Sequence, residues 1–260
     1  MKTKHFYLVV VAVVFLCQDA LPQFGFSHEV GVITGPVVFY SDYGQRNNIE
    51  TNMGNVGFGI GLIHYLNFAY RADCNCYTRD TYFNDHFKLR NEISYHKTQL
   101  RHYGKWVDPS RTSLTAEQLR GMRGSTSVFD IGSQLEYFPL SIRDFVAGRY
   151  LIAPFVSLGA HWVNFSPDAY TVFEPFEIGQ PLYPEKYDES SRRTQPGTTW
   201  SVVWSLGFRY KLGPMSDLML DGRWQFYFSN WVDGLNPDVP ENFANDWIYW
   251  LNVGYILYLD

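Results

Sequence analysis

The sequence predicts an all-β protein: an eight-stranded antiparallel, up-and-down transmembrane β-barrel of the outer membrane, with a lumen filled by side chains. Three observations lead to this fold class. Segments throughout the chain alternate apolar and polar residues with period two, as strands with one apolar face do. Aromatic residues make up 18% of the 260 residues. Beyond the N-terminus, no apolar run reaches the roughly 18 residues of a membrane-spanning helix, and this combination is typical of transmembrane barrels.

The charge balance argues against one class of partner. Lys and Arg total 21 and Asp and Glu total 26, which gives a formal net charge of −5. A nucleic-acid-binding protein usually carries a large basic surface. We therefore expect no nucleic-acid partner.

Residues 1–23 are predicted to be a secretory signal peptide, and residues 24–260 the barrel domain. Lys2 and Lys4 form a charged start, followed by an apolar middle over residues 7–16. That middle is too short to span a bilayer but has the length of a signal-peptide core. The mature protein is therefore expected to be exported.

Cleavage of the signal is expected between residues 20 and 26, where no clear small-x-small motif fixes the bond. Cys17 raises the alternative of a lipoprotein, for which the bulky residues 15–16 are a poor match. After cleavage the chain keeps Cys74 and Cys76, in a compartment that permits disulfides.

Residues 199–212 show the alternation most clearly. The apolar face comprises Trp200, Val202, Trp204, Leu206, Phe208, Tyr210 and Leu212. The opposite face is mostly polar or small and includes Arg209 and Lys211. This length exceeds that of most soluble strands and suits a tilted strand that crosses a membrane.

Seven other segments repeat the pattern, so we predict eight strands. They cover residues 28–40, 55–66, 86–103, 124–139, 148–164, 198–212, 216–230 and 246–259. Pro36 lies within the first segment and lacks the N–H that a strand ladder uses. We therefore predict a bulge or a strand end there.

The connections alternate between long and short, as in bacterial barrels with both termini in the periplasm. The predicted extracellular loops are 41–54, 104–123, 165–197 and 231–245, and the short periplasmic turns are 140–147 and 213–215. The connection 67–85 is an exception, because it is long and periplasmic. A ten-stranded barrel, with an extra hairpin in this connection, is the alternative.

The segment 54–66, GNVGFGIGLIHYL, has glycines that superficially resemble a nucleotide-binding loop. Such a loop needs the spacing G-x-G-x-x-G between a strand and a helix, with an acidic residue ~20 positions later. Here the spacing is G-x-G-x-G and no helical pattern follows. We predict instead a strand whose Gly57, Gly59 and Gly61 face the lumen and leave room for bulky side chains of other strands.

The predicted inward faces carry charges of both signs. The interior set is Arg90, Glu92, Asp130, Glu136, Arg209, Asp221 and Arg223. An eight-stranded barrel is narrow enough to be filled by its own side chains, and unpaired buried charges are costly. We predict that these groups pair and close the lumen, which argues against a general diffusion pore.

The long periplasmic connection contains both cysteines of the mature chain. Cys74 and Cys76 are too close in sequence for an easy, unstrained disulfide. The interpretations are a strained redox-active bond, a metal site completed by Asp73, Asp80 or His86, and an ordinary structured loop. As a surface for a partner, the loop offers Cys74, Cys76, Tyr77, Arg79 and Asp80.

The chain ends in NVGYILYLD, which fits a polar-x-Gly-x-x-apolar-x-apolar pattern. The matching residues are Asn252, Gly254, Leu257 and Leu259. The pattern resembles the C-terminal signal by which the barrel-assembly machinery recognises outer-membrane barrels, through strand addition to an open edge. Asp260 departs from signals that end on the apolar residue itself.

Residues 110–124 predict a short helix that folds over the external mouth of the barrel. Thr115 is the expected N-cap and Glu117 lies in the first turn. Its apolar side would comprise Leu114, Leu119 and Met122. We expect it to pack the loop rather than to bind a ligand.

Three histidines raise the hypothesis of a membrane hydrolase or acyltransferase. His64, His96 and His161 lie on predicted strands with serines near them in register. No motif joins a nucleophile, a base and an orienting acid, and histidines at such positions are usually hydrogen-bonded structure. We therefore predict no enzymatic activity and no cofactor.

Three strings carry a resemblance to known proteins: HEVGVITGPVVFYSDYGQRNN, GFGIGLIHYLNFAYRADCNCYTRDTYFNDHFK and FDIGSQLEYFPLSIRDF. Over nearly the whole mature chain they resemble an uncharacterised flavobacterial family of small outer-membrane barrel proteins. The opening HEVGV, the glycine-alternating strand that ends in YLNF, and SQLEYFPL are more loosely similar to PorG. That small barrel is associated with the type IX secretion system of Bacteroidota. The long 67–85 connection is a departure from PorG.

The resemblance to PorG implies a role as an outer-membrane anchor for a periplasmic secretion or gliding-motility assembly. The implied partners are a periplasmic lipoprotein or secretion and motility components, beside outer-membrane lipid and the barrel-assembly machinery. No catalytic residues come with either resemblance. The predicted function is thus a non-enzymatic scaffold or accessory component. The alternative is a surface-exposed binding or adhesion barrel that works through loops 104–123 and 165–197.

Overall fold

A computed structural model describes residues 26–45, 48–68, 81–242 and 244–259, with the side chain of residue 241 excepted. Eight antiparallel strands pair in chain order, and the first also pairs with the last, which closes the barrel. The strands are β1 (Ser27–Tyr40), β2 (Val56–Asn67), β3 (Phe87–Leu100), β4 (Met122–Tyr137), β5 (Ile152–Thr171), β6 (Gly197–Gly213), β7 (Ser216–Tyr227) and β8 (Trp247–Tyr258). The predicted fold class and the count of eight strands are confirmed.

Short helices occupy the connections. They are α1 (Ile49–Asn52), α2 (Tyr82–His86), α3 (Leu114–Gly121) and α4 (Ile142–Val146), with 3₁₀ turns at Glu185–Tyr187 and Pro240–Asn242. Within the described ranges, no helix has the length and apolar character required to cross a bilayer.

The outer wall carries an apolar band. On β5 the outward positions from Ile152 to Trp162 are apolar, and polar residues follow from Asn164 onward. About 9–11 residues are what a tilted strand needs to cross the hydrocarbon layer. Large apolar side chains such as Trp204 and Leu206 are about half exposed on this wall. These features are those of a transmembrane outer-membrane barrel.

The glycines of β2 have the predicted orientation. Gly57, Gly59 and Gly61 alternate with the exposed outward residues of the strand. A Cβ atom at Gly59 would lie 2.4 Å from the ring of Trp250, a fully buried side chain of β8. The glycine therefore makes room for a bulky interior side chain, as expected from a strand and not from a nucleotide loop.

The predicted start of the fifth strand, residue 148, is wrong, because β5 begins at Ile152. Residues 148–151 belong to the connection that is predicted to be periplasmic, where α4 ends in a turn with Gly148 at φ +76°. Arg149 does not face the lumen but pairs with Asp144 on the surface. The sequence alternates over these positions, but residues 148–151 form a turn that follows α4, and the buried Ile142 and Phe145 fix that helix against the barrel. At its other end β5 runs to Thr171, beyond the predicted residue 164.

Two local predictions are also wrong. Pro36 causes neither a bulge nor an end: the β1–β8 ladder omits Gly35 and Pro36 and resumes in the same register. The N-cap of α3 is Ser113, whose hydroxyl accepts a hydrogen bond from the Ala116 amide at 3.3 Å, and not Thr115. Ser113 has the extended backbone of an N-cap.

Candidate functional site: the filled lumen and the loop-built mouth

Charged side chains fill the periplasmic half of the lumen. Six carboxylates and five basic groups face inward, each at most 8% exposed: Glu29, Glu92, Asp130, Glu136, Asp217, Asp221, Lys88, Arg90, Arg209, Lys211 and Arg223. The numbers of negative and positive groups are nearly equal. This matters because a buried ion is tolerated only when it is paired and hydrogen-bonded.

Arg90 is one centre of this network. Its guanidinium lies 2.8 Å from Glu92, 3.0 Å from Asp221 and 3.3 Å from Glu136. The carboxylates come from β3, β4 and β7. One side chain therefore links strands on opposite sides of the barrel and crosses the lumen between them.

Arg209 is the second centre. It lies 2.6 Å from Glu29 and 3.5 Å from Glu136, and its guanidinium stacks 4.1 Å from the ring centre of Tyr65. Lys88 pairs with the other oxygen of Glu29. Planar guanidinium groups suit such buried, multiply paired positions. The shared Glu136 connects the two centres into one network.

Both ends of the lumen are covered. At the periplasmic end, Phe138, Ile142 and Phe145 are at most 2% exposed. At the extracellular end, apolar residues such as Phe39 and Tyr227 stack with ring centres 6.2 Å apart. In the described part of the chain the lumen is thus a packed interior and not an aqueous channel.

The loops that are predicted to be extracellular pack into a cap at one end of the barrel, here called the mouth. Asp42 in the first loop accepts a hydrogen bond from Asn242 of the last loop at 2.9 Å. Gln118 of α3 donates to the carbonyl of Pro181 in the third loop at 2.6 Å. Tyr187 donates to the Asp42 carbonyl at 2.9 Å. The four loops of the mouth, over their described residues, are therefore held together by side chains.

Three buried carboxylates lie at the centre of the mouth. The nearest oxygens of Asp42, Asp233 and Asp246 all lie within 4.8 Å of one another, a spacing that a cation could bridge. These carboxylates also accept hydrogen bonds from the backbone amides of Asp42 and Val232. This geometry directly supports a structural role, because the hydrogen bonds link the first loop to the last loop.

A pocket of about 290 Å³ opens beside this cluster. Tyr43, His102, Trp106 and Lys186 are among its lining residues. The His102 ring lies 5.1 Å from that of Tyr43, and its buried Nε2 atom has no hydrogen-bond partner. Burial, with a smaller effect of the Lys186 charge, lowers the pKa of His102 to about 3. The His102 ring is therefore neutral near pH 7, and one of its two nitrogens is a hydrogen-bond acceptor.

The histidines of the enzyme hypothesis do not assemble a catalytic group. His96 contacts the Tyr227 hydroxyl at 3.0 Å and His161 contacts Gln134 at 3.2 Å, both inside the lumen. His64 lies on the outer wall. In the described residues none of the three imidazole rings has a serine hydroxyl as a hydrogen-bond partner, which a nucleophile–base pair requires; the Ser201 hydroxyl donates to the backbone carbonyl of His161.

The other predicted site residues fall into two groups. Asn252 and Gly254 face inward on β8, Leu257 faces the membrane, and Leu259 follows the end of the strand. The positions Cys74, Cys76, Tyr77, Arg79 and Asp80, like residues 1–23, lie outside the described residues.

Four members of the lumen network are absent from the predicted interior set. They are Glu29, Lys88, Lys211 and Asp217, which are all buried and ion-paired. All four stand at inward positions of the alternating strands β1, β3, β6 and β7. Extending the period-two pattern to the periplasmic ends of these strands would have found them.

Comparisons with known proteins return distant similarities of fold. No protein-family model matches the chain, and no curated protein matches it. Neisserial surface protein A is 14% identical, with a TM-score of 0.45, over 88% of this chain and 96% of that chain. OprG from Pseudomonas aeruginosa is 12% identical, with a TM-score of 0.42, over 89% and 97%. A major outer membrane protein from Thermus thermophilus is 12% identical, with a TM-score of 0.45, over 90% and 99%.

Proposed function

We propose that this protein is a non-enzymatic outer-membrane anchor, a scaffold or accessory component of an envelope assembly. One observation carries the proposal: the lumen is filled by a cross-linked charge network and covered at both ends. A barrel of this kind does not serve diffusion, so its function lies on its surfaces. The resemblance of the sequence to PorG gives the class of partner, a periplasmic lipoprotein or a component of type IX secretion or gliding motility.

The test is co-purification from gently solubilised outer membranes. One variant shortens the connection between β2 and β3 by replacing residues 70–79 with a short glycine–serine linker. The matched control shortens the extracellular loop between β5 and β6 over residues 175–182. Unboiled gel mobility verifies that both barrels still close. A partner that is lost only from the periplasmic variant supports the anchor, whereas a partner that both variants retain contradicts it.

A second candidate function is binding at the cell surface, and the pocket in the mouth favours it. The pocket combines aromatic walls with the neutral acceptor His102 and the cation Lys186. Such a mixture suits a ligand that has both an apolar face and hydroxyl groups. A partner or ligand lost only on shortening residues 175–182, or on His102→Phe, would support this function over the anchor.

A further inference from the structure

Four polar residues form a hydrogen-bonded row on the outer wall of the barrel, across β1 to β4. The Ser133 hydroxyl donates to Asn91 Oδ1 at 2.7 Å, and Asn91 Nδ2 donates to His64 Nδ1 at 3.3 Å. His64 Nε2 then lies 3.0 Å from His28 Nδ1. We call these four residues the wall row.

The wall row reaches the middle of the apolar band. On β3 the outward residues run from Phe87 to Tyr95, with Asn91 at the midpoint. On β4 they run from Phe129 to Tyr137, and Ser133 is again at the midpoint. Apolar outward residues therefore lie on both sides of Asn91 and of Ser133 along their strands.

A polar group at this depth needs a polar neighbour. Lipid tails offer no hydrogen bonds, and polar residues that face them are costly and usually functional. The amide of Asn91 has a second N–H, and the hydroxyl of Ser133 has lone pairs beyond the contacts within the row. Lipid supplies polar atoms only at its headgroups. Lipid tails therefore cannot complete these bonds at mid-depth, whereas a second protein surface can.

A groove follows the row. Its volume is about 520 Å³, and Val30, Leu62, Ile93 and Ile131 line it beside the polar residues. The strands of the opposite wall, β6 to β8, carry apolar and aromatic residues at their outward positions within the band. The groove is thus a distinct surface with an apolar border and a polar centre, as protein interfaces have.

We propose that this groove is the interface between two copies of the chain, related by a two-fold axis along the membrane normal. The apolar bands hold both copies at one depth. An axis beside Asn91 then places the side-chain amide of Asn91 opposite its own copy at the same depth. The row contains both donors and acceptors, so it is complementary to itself. An unrelated partner would need its own polar group at the same height within the membrane.

Cysteine cross-linking in intact outer membranes tests the interface. In a Cys74→Ser, Cys76→Ser background, Ile93→Cys places a thiol beside Asn91, and Leu220→Cys on the opposite wall is the matched control. Copper-phenanthroline oxidation is expected to give a species of twice the chain mass from Ile93→Cys only. Adding Asn91→Leu should lower its yield at least tenfold, since leucine is an ordinary residue of this wall and should not prevent folding.

The milder Ser133→Ala variant and native mass spectrometry of the detergent-solubilised protein provide a second measurement. Both Asn91→Leu and Ser133→Ala should lower the dimer fraction, while unboiled gel mobility shows a closed barrel. Equal cross-linking from both walls would overturn the proposal, and so would a dimer that Asn91→Leu leaves unchanged. A cross-link to a different membrane protein, or a monomer that retains only bound lipid, would overturn it as well.

Discussion

Replacement of Arg90 by methionine tests whether the ion network holds the barrel together. Arg90 contacts three buried carboxylates, and two of them keep a second cation: Glu92 keeps Arg223, and Glu136 keeps Arg209. Among the described residues, the 3.0 Å contact with Arg90 is the only ion pair of Asp221. Arg90→Met therefore leaves one buried carboxylate without a cation and two with fewer.

Breaking a buried pair by removing one partner costs about 3–5 kcal/mol, because the remaining charge stays desolvated. We expect Arg90→Met to lower the free energy of unfolding by an amount in this range. Adding Asp221→Asn removes the uncompensated charge, so the double variant should recover part of the loss. The interaction between the two sites should lie within the roughly 0.5–3 kcal/mol seen for residues in direct contact.

Urea unfolding of the refolded barrel in phospholipid vesicles measures these differences, with tryptophan fluorescence and unboiled gel mobility as independent signals. Leu135→Met on the lipid-facing wall is the control and should stay within about 0.5 kcal/mol of the parent. A loss below about 1 kcal/mol for Arg90→Met would refute the reasoning. A double variant that is no more stable than Arg90→Met would refute it too.

Three further predictions concern single positions. Gly59→Ala should cost about 1–3 kcal/mol through overpacking, whereas Gly213→Ala, whose added Cβ meets its nearest neighbour only at 4.0 Å, should be nearly neutral in the same urea assay. His102 has a folded pKa of about 3, below its ordinary value of 6.5. The unfolded mouth therefore takes up a proton first as the pH falls. Stability should drop by about 1.4 kcal/mol per pH unit below about pH 6.5, and the drop should level off near the folded pKa. Protease susceptibility of the mouth loops should show this slope, and His102→Gln should abolish it. Ser113→Ala should weaken α3 by about 1 kcal/mol, measured as faster amide exchange in that helix, while Thr115→Ala should leave the exchange unchanged.

The sequence alone predicted the barrel because a strand in a membrane must present one face to lipid. Because side chains alternate between the two faces of a strand, an apolar residue is required at every second position. The sequence of β6 shows this alternation from Trp200 to Leu212. The same periodicity separated the β2 glycines from a nucleotide loop. It could not distinguish a strand from a turn at residues 148–151, since a few alternating positions are compatible with both.

Only the tertiary structure decided which charges meet and which polar residues share a surface. Arg90 and Asp221 are 131 positions apart, and their contact depends on barrel closure, strand tilt and register. The wall row depends on the same register, which aligns His64, Asn91 and Ser133 across neighbouring strands. In the sequence, Asn91 and Ser133 are single interruptions of two apolar faces. The mouth likewise needs loops from distant parts of the chain, and no local pattern encodes their packing.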